Sequence, residues 1–265
     1  VGPDPVADEE DDGERDEKIA KSKKKVAPIP RNRAVVRKAS AALAKGVAAV
    51  FADQAQTIAD AARAKSEGKD DEIGDLPTDL TPAQRKALLA ALEDQLELVA
   101  ADGAERALAQ VGAGGIESLL DQANARAVAW AQQHAAELVT RIDETTRDAV
   151  RGLVETATSE GWSNARLADE IENAAAFDAA RAQTIARTET AAADVAGNVA
   201  GWRESGVVEA REWIVAQDEA CEDCVLLSGA KAEIGAEFDG GDPPLHPNCR
   251  CDVLPVLKEA ADAED

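Results

Sequence analysis

The stretch "PPLHPNCRC", residues 243–251, determines how the end of this chain folds. It holds one of the two histidines and two of the four cysteines of the protein. The other two cysteines lie upstream in "DEACEDCVLL", residues 218–227. Two thiols three residues apart on one turn, closed by a second Cys/His group, are typical of a structural zinc centre. The pattern therefore predicts a metal-held module whose candidate ligands are Cys221, Cys224, His246, Cys249 and Cys251.

Five candidate ligands compete for the four positions of a tetrahedral zinc site. A site of four cysteines and a site of three cysteines with His246 both satisfy the spacing. On a regular strand Cys249 and Cys251 face the same side, so both can reach one ion. We expect zinc in a structural role, with the fifth residue beside the site.

Two other interpretations of the cysteines remain open. Two disulfides could join the CxxC pair to the CxC pair, although a reducing cytosol favours zinc. A catalytic zinc would need an open coordination position and a carboxylate base. Carboxylates are close in sequence, but they carry little information in so acidic a chain: Asp218, Glu219, Glu222, Asp223 and Asp239.

The charge of the chain constrains its partners. There are 52 Asp and Glu against 29 Lys and Arg, a formal net charge of −23. Phosphate binding needs clustered cations, so we expect no direct nucleic-acid binding, and the basic run "KSKKK" at 21–25 is interpreted as part of a solvated linker. No apolar run is long enough for a membrane span, and no signal-peptide pattern opens the chain. We therefore expect a soluble protein made inside a cell.

The rest of the chain predicts long helices. Residues 1–30 have the composition of a disordered charged tail or linker, and 257–265 form an acidic tail. A helix is predicted from about 31 to 65, with Gly46 as a weak point. Thr81, Pro82 and Gln84 start a second helix that ends near Ala101. A short helical piece follows Gly103, and "GAGG" at 112–115 forms a flexible joint.

A third helix is predicted over roughly 117–159, where His134 lies on the surface. One apolar stripe faces the core: Val128, Ala131, Ala135, Leu138, Ile142, Thr146, Ala149 and Leu153. Ser163 caps a short helix, and another long helix ends at Gly206. That helix has its own stripe: Ile185, Thr188, Ala192, Val195, Val199 and Trp202.

Beyond Gly206 the composition changes to strands. "VVEAREWIVAQ" at 207–217 and "CDVLPVL" at 251–257 are rich in Val, Ile and Leu. The fold class is thus mainly α: a long-helix body with a small C-terminal α+β, Cys/His-rich module.

The order of motifs in the C-terminal part resembles the phage Mu F-like family of minor head, or head-morphogenesis, proteins. The matching pieces include "ARTET" at 186–190, "GWRESGV" at 201–207, "EWIVAQDEACEDCVLLSG" at 212–229 and "PPLHPNCRCDVLPV" at 243–256. The resemblance covers residues 145–256, with the Cys/His module at 207–256, and leaves 31–144 as a helical N-terminal extension. Besides the five Cys/His residues, the family motif falls on Arg187, Thr188, Glu189, Asn198, Trp213, Asp218, Pro247 and Arg250.

The resemblance implies a minor capsid protein of a tailed phage. Such a protein acts in procapsid assembly near the portal, and in DNA packaging or ejection. Its partners would be the portal protein and other capsid or scaffold components. Its location would be the host cytoplasm during assembly and then the virion head. The alternative is a phage-encoded enzyme or toxin-associated delivery domain that uses the Cys/His site, but we expect no enzymatic activity.

The spacing within the last long helix adds a further expectation. Arg187, Asp194 and Asn198 share one helical face. This polar face could pack on the Cys-rich module, with Arg187 bonded to loop carbonyls or to Asp218. Glu189 falls on another face. Trp202 and Trp213 are expected to fill the core rather than bind a ligand.

Overall fold

A computed structural model describes residues 33–66, 76–216 and 220–259. The expected tail at 1–30 and most of the expected acidic tail at 257–265 lie outside these ranges. Helices dominate the described residues, and one small sheet follows them, so the predicted fold class is confirmed. The body comprises α1 (Arg33–Ser66), α2 (Pro82–Gln110), α3 (Glu117–Glu160), α4 (Asn164–Glu172), a 3-10 turn (Ala175–Phe177) and α5 (Ala179–Ser205). The end module comprises β1 (Val208–Ile214), α6 (Glu222–Leu226), β2 (Lys231–Glu233) and β3 (Asp252–Leu257).

The predicted helix ends are confirmed where a side chain or a glycine sets them. The Thr81 hydroxyl accepts a hydrogen bond from the Gln84 amide at 3.2 Å, and the Gln84 side chain accepts one from the Thr81 amide at 2.9 Å. This reciprocal pair satisfies two donors that the first turn leaves without helical partners. Ser163 caps α4 in the same manner. Gly206 ends α5 with a φ of 70°, a left-handed conformation that glycine adopts without strain.

The helix break predicted near Gly103 is wrong, because α2 continues to Gln110. A methyl group at Gly103 would lie 2.9 Å from the Asp194 carbonyl oxygen of α5. A methyl group at Gly197 would lie only 2.1 Å from the Ala100 carbonyl oxygen. These two glycines therefore allow the backbones of α2 and α5 to touch.

Helix α5 lies at the centre of the body. It packs against α1, α2 and α3. Its C-terminal half is consequently buried on several sides rather than along the single predicted stripe. The α3 stripe is confirmed from Ala131 to Thr146, but Ala149 is exposed and Val150 is buried in its place.

The sheet has the order β2-β1-β3, and both pairs are antiparallel. Trp213 lies opposite Val253, and an irregularity separates Val208 from Ala210. The Lys258 amide donates to the Val207 carbonyl at 2.9 Å, so the chain enters and leaves the module at neighbouring points. None of the helices in the described ranges combines the length and apolar character needed to span a membrane.

Candidate metal centre

The first cysteine pair is placed by the short helix α6. Cys221 is the N-cap of this helix, and its sulfur accepts from the Cys224 amide at 3.4 Å. One turn separates the two residues, so both thiols project from the same end of α6. Cys224 is buried, whereas Cys221 is partly exposed.

The second group is placed by the turn that leads into β3. The Cys249 amide donates to the His246 carbonyl at 3.1 Å and closes the turn. Asn248 has a φ of 62°, a conformation that asparagine tolerates better than most residues. Cys251 then directly precedes the first residue of β3. The sheet thereby fixes the end of this turn.

The two groups meet at distances that suit a tetrahedral ion. His246 Nε2 lies 3.2 Å from Cys221 Sγ and 3.5 Å from Cys224 Sγ, and Cys224 Sγ lies 3.7 Å from Cys249 Sγ. Zinc bonds of about 2.3 Å to sulfur and 2.0 Å to nitrogen imply ligand separations of roughly 3.5–3.8 Å in a tetrahedron. The ligand atoms of Cys224, Cys249 and Cys251 also lie within 4.8 Å of one another.

A cavity of about 20 Å³ lies between these side chains, and all five predicted ligands line it. This volume is about that of one water-sized sphere, which suits a single ion. All four cysteines are free thiols. The 3.7 Å separation of Cys224 and Cys249 is far beyond the ~2.05 Å of a disulfide bond. The disulfide alternative is therefore not the arrangement in this structure.

The histidine is oriented for coordination through one specific nitrogen. His246 Nδ1 lies 3.0 Å from the Pro247 carbonyl oxygen. A carbonyl can only accept, so Nδ1 carries the proton and the lone pair of a neutral ring stands on Nε2. That nitrogen faces the thiols of Cys221 and Cys224. A metal-binding histidine is commonly oriented by a hydrogen bond of this kind.

The thiols are held in different electrostatic settings. Burial raises the pKa of Cys224, and the neighbouring cysteine side chains add to the increase. Burial also raises the pKa of Cys251. Burial opposes ionisation of Cys249 as well, but its pKa is lowered overall by hydrogen bonds from the backbone of Cys251 and Leu245 together with those from the side chains of Cys224 and Cys251. Four thiols packed this closely become thiolates together only when a cation compensates the charge, which is what a metal ion supplies.

Helix α5 contacts the Cys/His turn through one residue of the predicted motif. The Thr188 hydroxyl accepts from the Asn248 amide at 3.0 Å and donates to the Thr184 carbonyl at 2.8 Å. This connection joins the helical body to the turn between His246 and Cys249. Arg187, Pro247 and Arg250 are exposed around the same turn.

The predicted polar face of α5 does not pack on the Cys-rich module as a unit. The Asp194 carboxylate is buried and pairs with Arg106 of α2 at 2.5 Å. Asn198 is also buried. Only Arg187 lies beside the Cys/His turn. The expected contact with Asp218 lies outside the described residues.

Glu189 lies on a different face, as predicted, and contacts a residue that the sequence did not connect with it. Its carboxylate is 2.6 Å from His134 Nε2 of α3. The His134 ring also stacks on Trp130, with ring centroids 4.5 Å apart. His134 is thus partly buried in an α3–α5 contact.

Sequence reasoning also missed a partly buried ion pair inside the module. Arg211 on β1 is 2 % exposed and pairs with Asp242, just before the Cys/His stretch. Its guanidinium lies 5.2 Å from the Phe238 ring centroid, and Phe238 packs edge-on against Trp213 at 5.3 Å. Both tryptophans that were predicted as core residues, Trp202 and Trp213, are buried. Arg211 lies in a strand that also contains Glu209 and Glu212, so its charge gave no sequence signal for this pair.

A comparison with protein families places the site within a known domain. Residues 148–254 match the family model described as Phage Mu protein F like protein. This region is similar to the phage Mu F-like family. The match contains α4, α5, the sheet up to Leu254 and all five candidate ligands. The predicted family is confirmed, and it suggests a phage head-morphogenesis protein. No curated protein and no solved structure matches the chain.

Proposed function

We propose that this protein is a minor head component of a tailed phage that acts in procapsid assembly next to the portal. The Mu F-like domain supports this role at the level of head morphogenesis. The portal, or another capsid or scaffold component, is the proposed partner. The proposed location is the host cytoplasm during assembly and the virion head afterwards.

The observation that carries the proposal is the link between the family motif and the fold. Thr188 on the central helix binds the turn that holds His246 and Cys249. The motif residues therefore join two parts of the protein, which is a structural task. The space between the Cys/His side chains is about 20 Å³, which is too small for a substrate. We therefore propose a protein without enzymatic turnover.

We further propose that the Cys/His cluster holds a structural zinc ion. Cys224 and Cys249 would bind it from the buried side, and Cys221 or Cys251 would complete the set with His246. Bound zinc would supply a cross-link between α6 and the start of β3. Elemental analysis of the purified protein should give one zinc per chain. Treatment with a chelator under reducing conditions should lower the melting temperature, because the free energy of metal binding is part of the folding free energy.

Particle composition tests the role in the head. Quantitative mass spectrometry of purified procapsids and virions should find a few copies per particle, near the copy number of the portal or below it. A pull-down should recover the protein with portal rings. Absence from both kinds of particle would overturn the proposal and favour the alternative of an intracellular enzyme or a toxin-associated delivery domain.

A further inference from the structure

A groove of about 990 Å³ runs along the body beside the Cys/His turn. Helix α1 forms one wall and the N-terminal half of α5 forms the other. Residues 248–250 of the Cys/His turn form the third side. The groove shares only Cys249 with the Cys/His cluster, and its third side is connected to α5 by the bond between Thr188 and Asn248.

The charge of this groove is opposite to that of the chain. Its lining contains four cations and, among the described residues, no aspartate or glutamate. Carboxylates nevertheless outnumber cations by 52 to 29 in the whole chain. The four cations come from three separate elements, and all are exposed: Arg37, Lys45, Arg187 and Arg250.

Small apolar side chains lie between these cations. Ala41, Ala44 and Ala48 follow one face of α1, and Ala191 faces them from α5. Small side chains let another backbone approach closely, and the space between two helices accepts a third helix packed against both. Arg37 and Lys45 lie about 12 Å apart along α1. Carboxylates about eight residues apart on a parallel helix would have the same spacing.

We propose that this groove binds an acidic, alanine-rich helix of a partner protein. Carboxylates on the two sides of such a helix would face α1 and the α5 wall, and its small residues would rest on the alanines. A nucleic-acid backbone would use the cations but would leave the apolar floor without a complementary surface. The inference deepens the proposed function by naming the chemistry of a partner, and it rests on that function for the assignment of the partner to the phage head.

A fluorescein-labelled helical peptide built from EAALAEA repeats tests this surface directly. Fluorescence anisotropy with the full chain should show saturable binding that weakens as salt is raised. The peptide with lysine in place of glutamate should not bind. The variants Lys45→Glu and Arg187→Glu should each weaken binding by about tenfold. Both side chains are exposed, so these variants should fold normally.

Exposed cations on helices of the body, outside the groove, provide matched controls. Lys86 on α2 and Arg203 on α5 are exposed and lie outside the groove. Lys86→Glu and Arg203→Glu should leave the affinity within about twofold. Equal losses in the groove and control variants would overturn the proposal, as would no peptide binding.

A labelled 20-base-pair DNA duplex provides the competing outcome. Binding of the duplex, but not of the acidic peptide, would reassign the groove to nucleic acid and overturn the proposal. The result is separable from the proposed function, because the presence of the protein in phage particles does not depend on binding to this peptide.

Discussion

The helical body and the end module reach a stable fold by different means. The body buries rows of Ala, Leu and Val along helices of up to 44 residues. The module has strands of three to seven residues, and its buried cluster combines three cysteines with Ala107, Val195 and Trp202 of the body. A small unit rarely buries enough apolar surface to be stable alone, so cross-links compensate. We infer that the body depends on close packing along its whole length, whereas the module depends on a few specific links.

The largest expected effect comes from breaking the cluster that defines the module. Cys224→Ser should remove most of the bound metal and destabilise the module by about 4 kcal/mol or more, because a buried ligand is lost. Hydrogen exchange should become fast in residues 207–258 while α3 stays protected. Leu226→Ser on the same short helix is the control, since Leu226 is 83 % exposed. Unchanged metal content in Cys224→Ser would contradict the proposed ligand set.

The second test removes the ion pair between Arg211 and Asp242 inside the module. Arg211→Met should destabilise it by about 3 kcal/mol, because Asp242 loses its cation and Phe238 loses the guanidinium that lies over its ring. Denaturation monitored by tryptophan fluorescence measures the change. The double variant Arg211→Met with Asp242→Asn should recover part of the loss. A double variant as unstable as the sum of the two single variants would show that the pair is not coupled.

A packing change should affect the body instead. Gly197→Ala should cost about 2 kcal/mol, because the added methyl group would lie 2.1 Å from the Ala100 carbonyl oxygen and force α2 and α5 apart. Gly152→Ala is the matched control, since nothing lies within 4 Å of that site on α3. The control should be neutral or should gain about 0.5 kcal/mol from helix propensity. The urea midpoint should therefore fall for Gly197→Ala and should stay the same or rise for Gly152→Ala.

The smallest expected effect tests the bond between the two regions. Thr188→Val should cost about 1 kcal/mol, because the Asn248 amide loses its acceptor. Since that amide lies in the turn that carries His246 and Cys249, the affinity for the proposed zinc ion should also fall by about tenfold. A competition titration with a zinc-sensitive dye measures the affinity. Thr188→Ser retains the hydroxyl and should behave as the wild type, so an equal loss in both variants would show that the hydroxyl is not responsible.

Local features of the sequence predicted much of this fold. The capping residues Thr81, Ser163 and Gly206 are confirmed, because a cap acts through neighbours only a few residues away. The two main strands follow from runs of β-branched and apolar residues. The Cys/His spacing predicted five residues that the structure brings together around one cavity.

Features that depend on long-range packing could not be predicted in the same way. Gly103 resembles a helix breaker in sequence, yet it lies in a helix crossing that only the packed structure reveals. Arg211 and Asp242 are separated by 31 residues, and His134 and Glu189 by 55. Neither pair has a sequence spacing that predicts contact. The basic groove likewise combines residues from two helices and a turn.

The bond between Lys258 and Val207 has a mechanical consequence. Because the two ends of the module are neighbours, tension between α5 and the segment after residue 259 would break the hydrogen bonds between β1 and β3 one after another. The separation would begin at the bond between Lys258 and Val207. The last residue pair between these two strands is Ile214 and Asp252, directly beside Cys251. A metal ion that links the Cys/His cluster at that point would stop the separation of the strands. A chain under tension would then lengthen only by the length of the two separated strands.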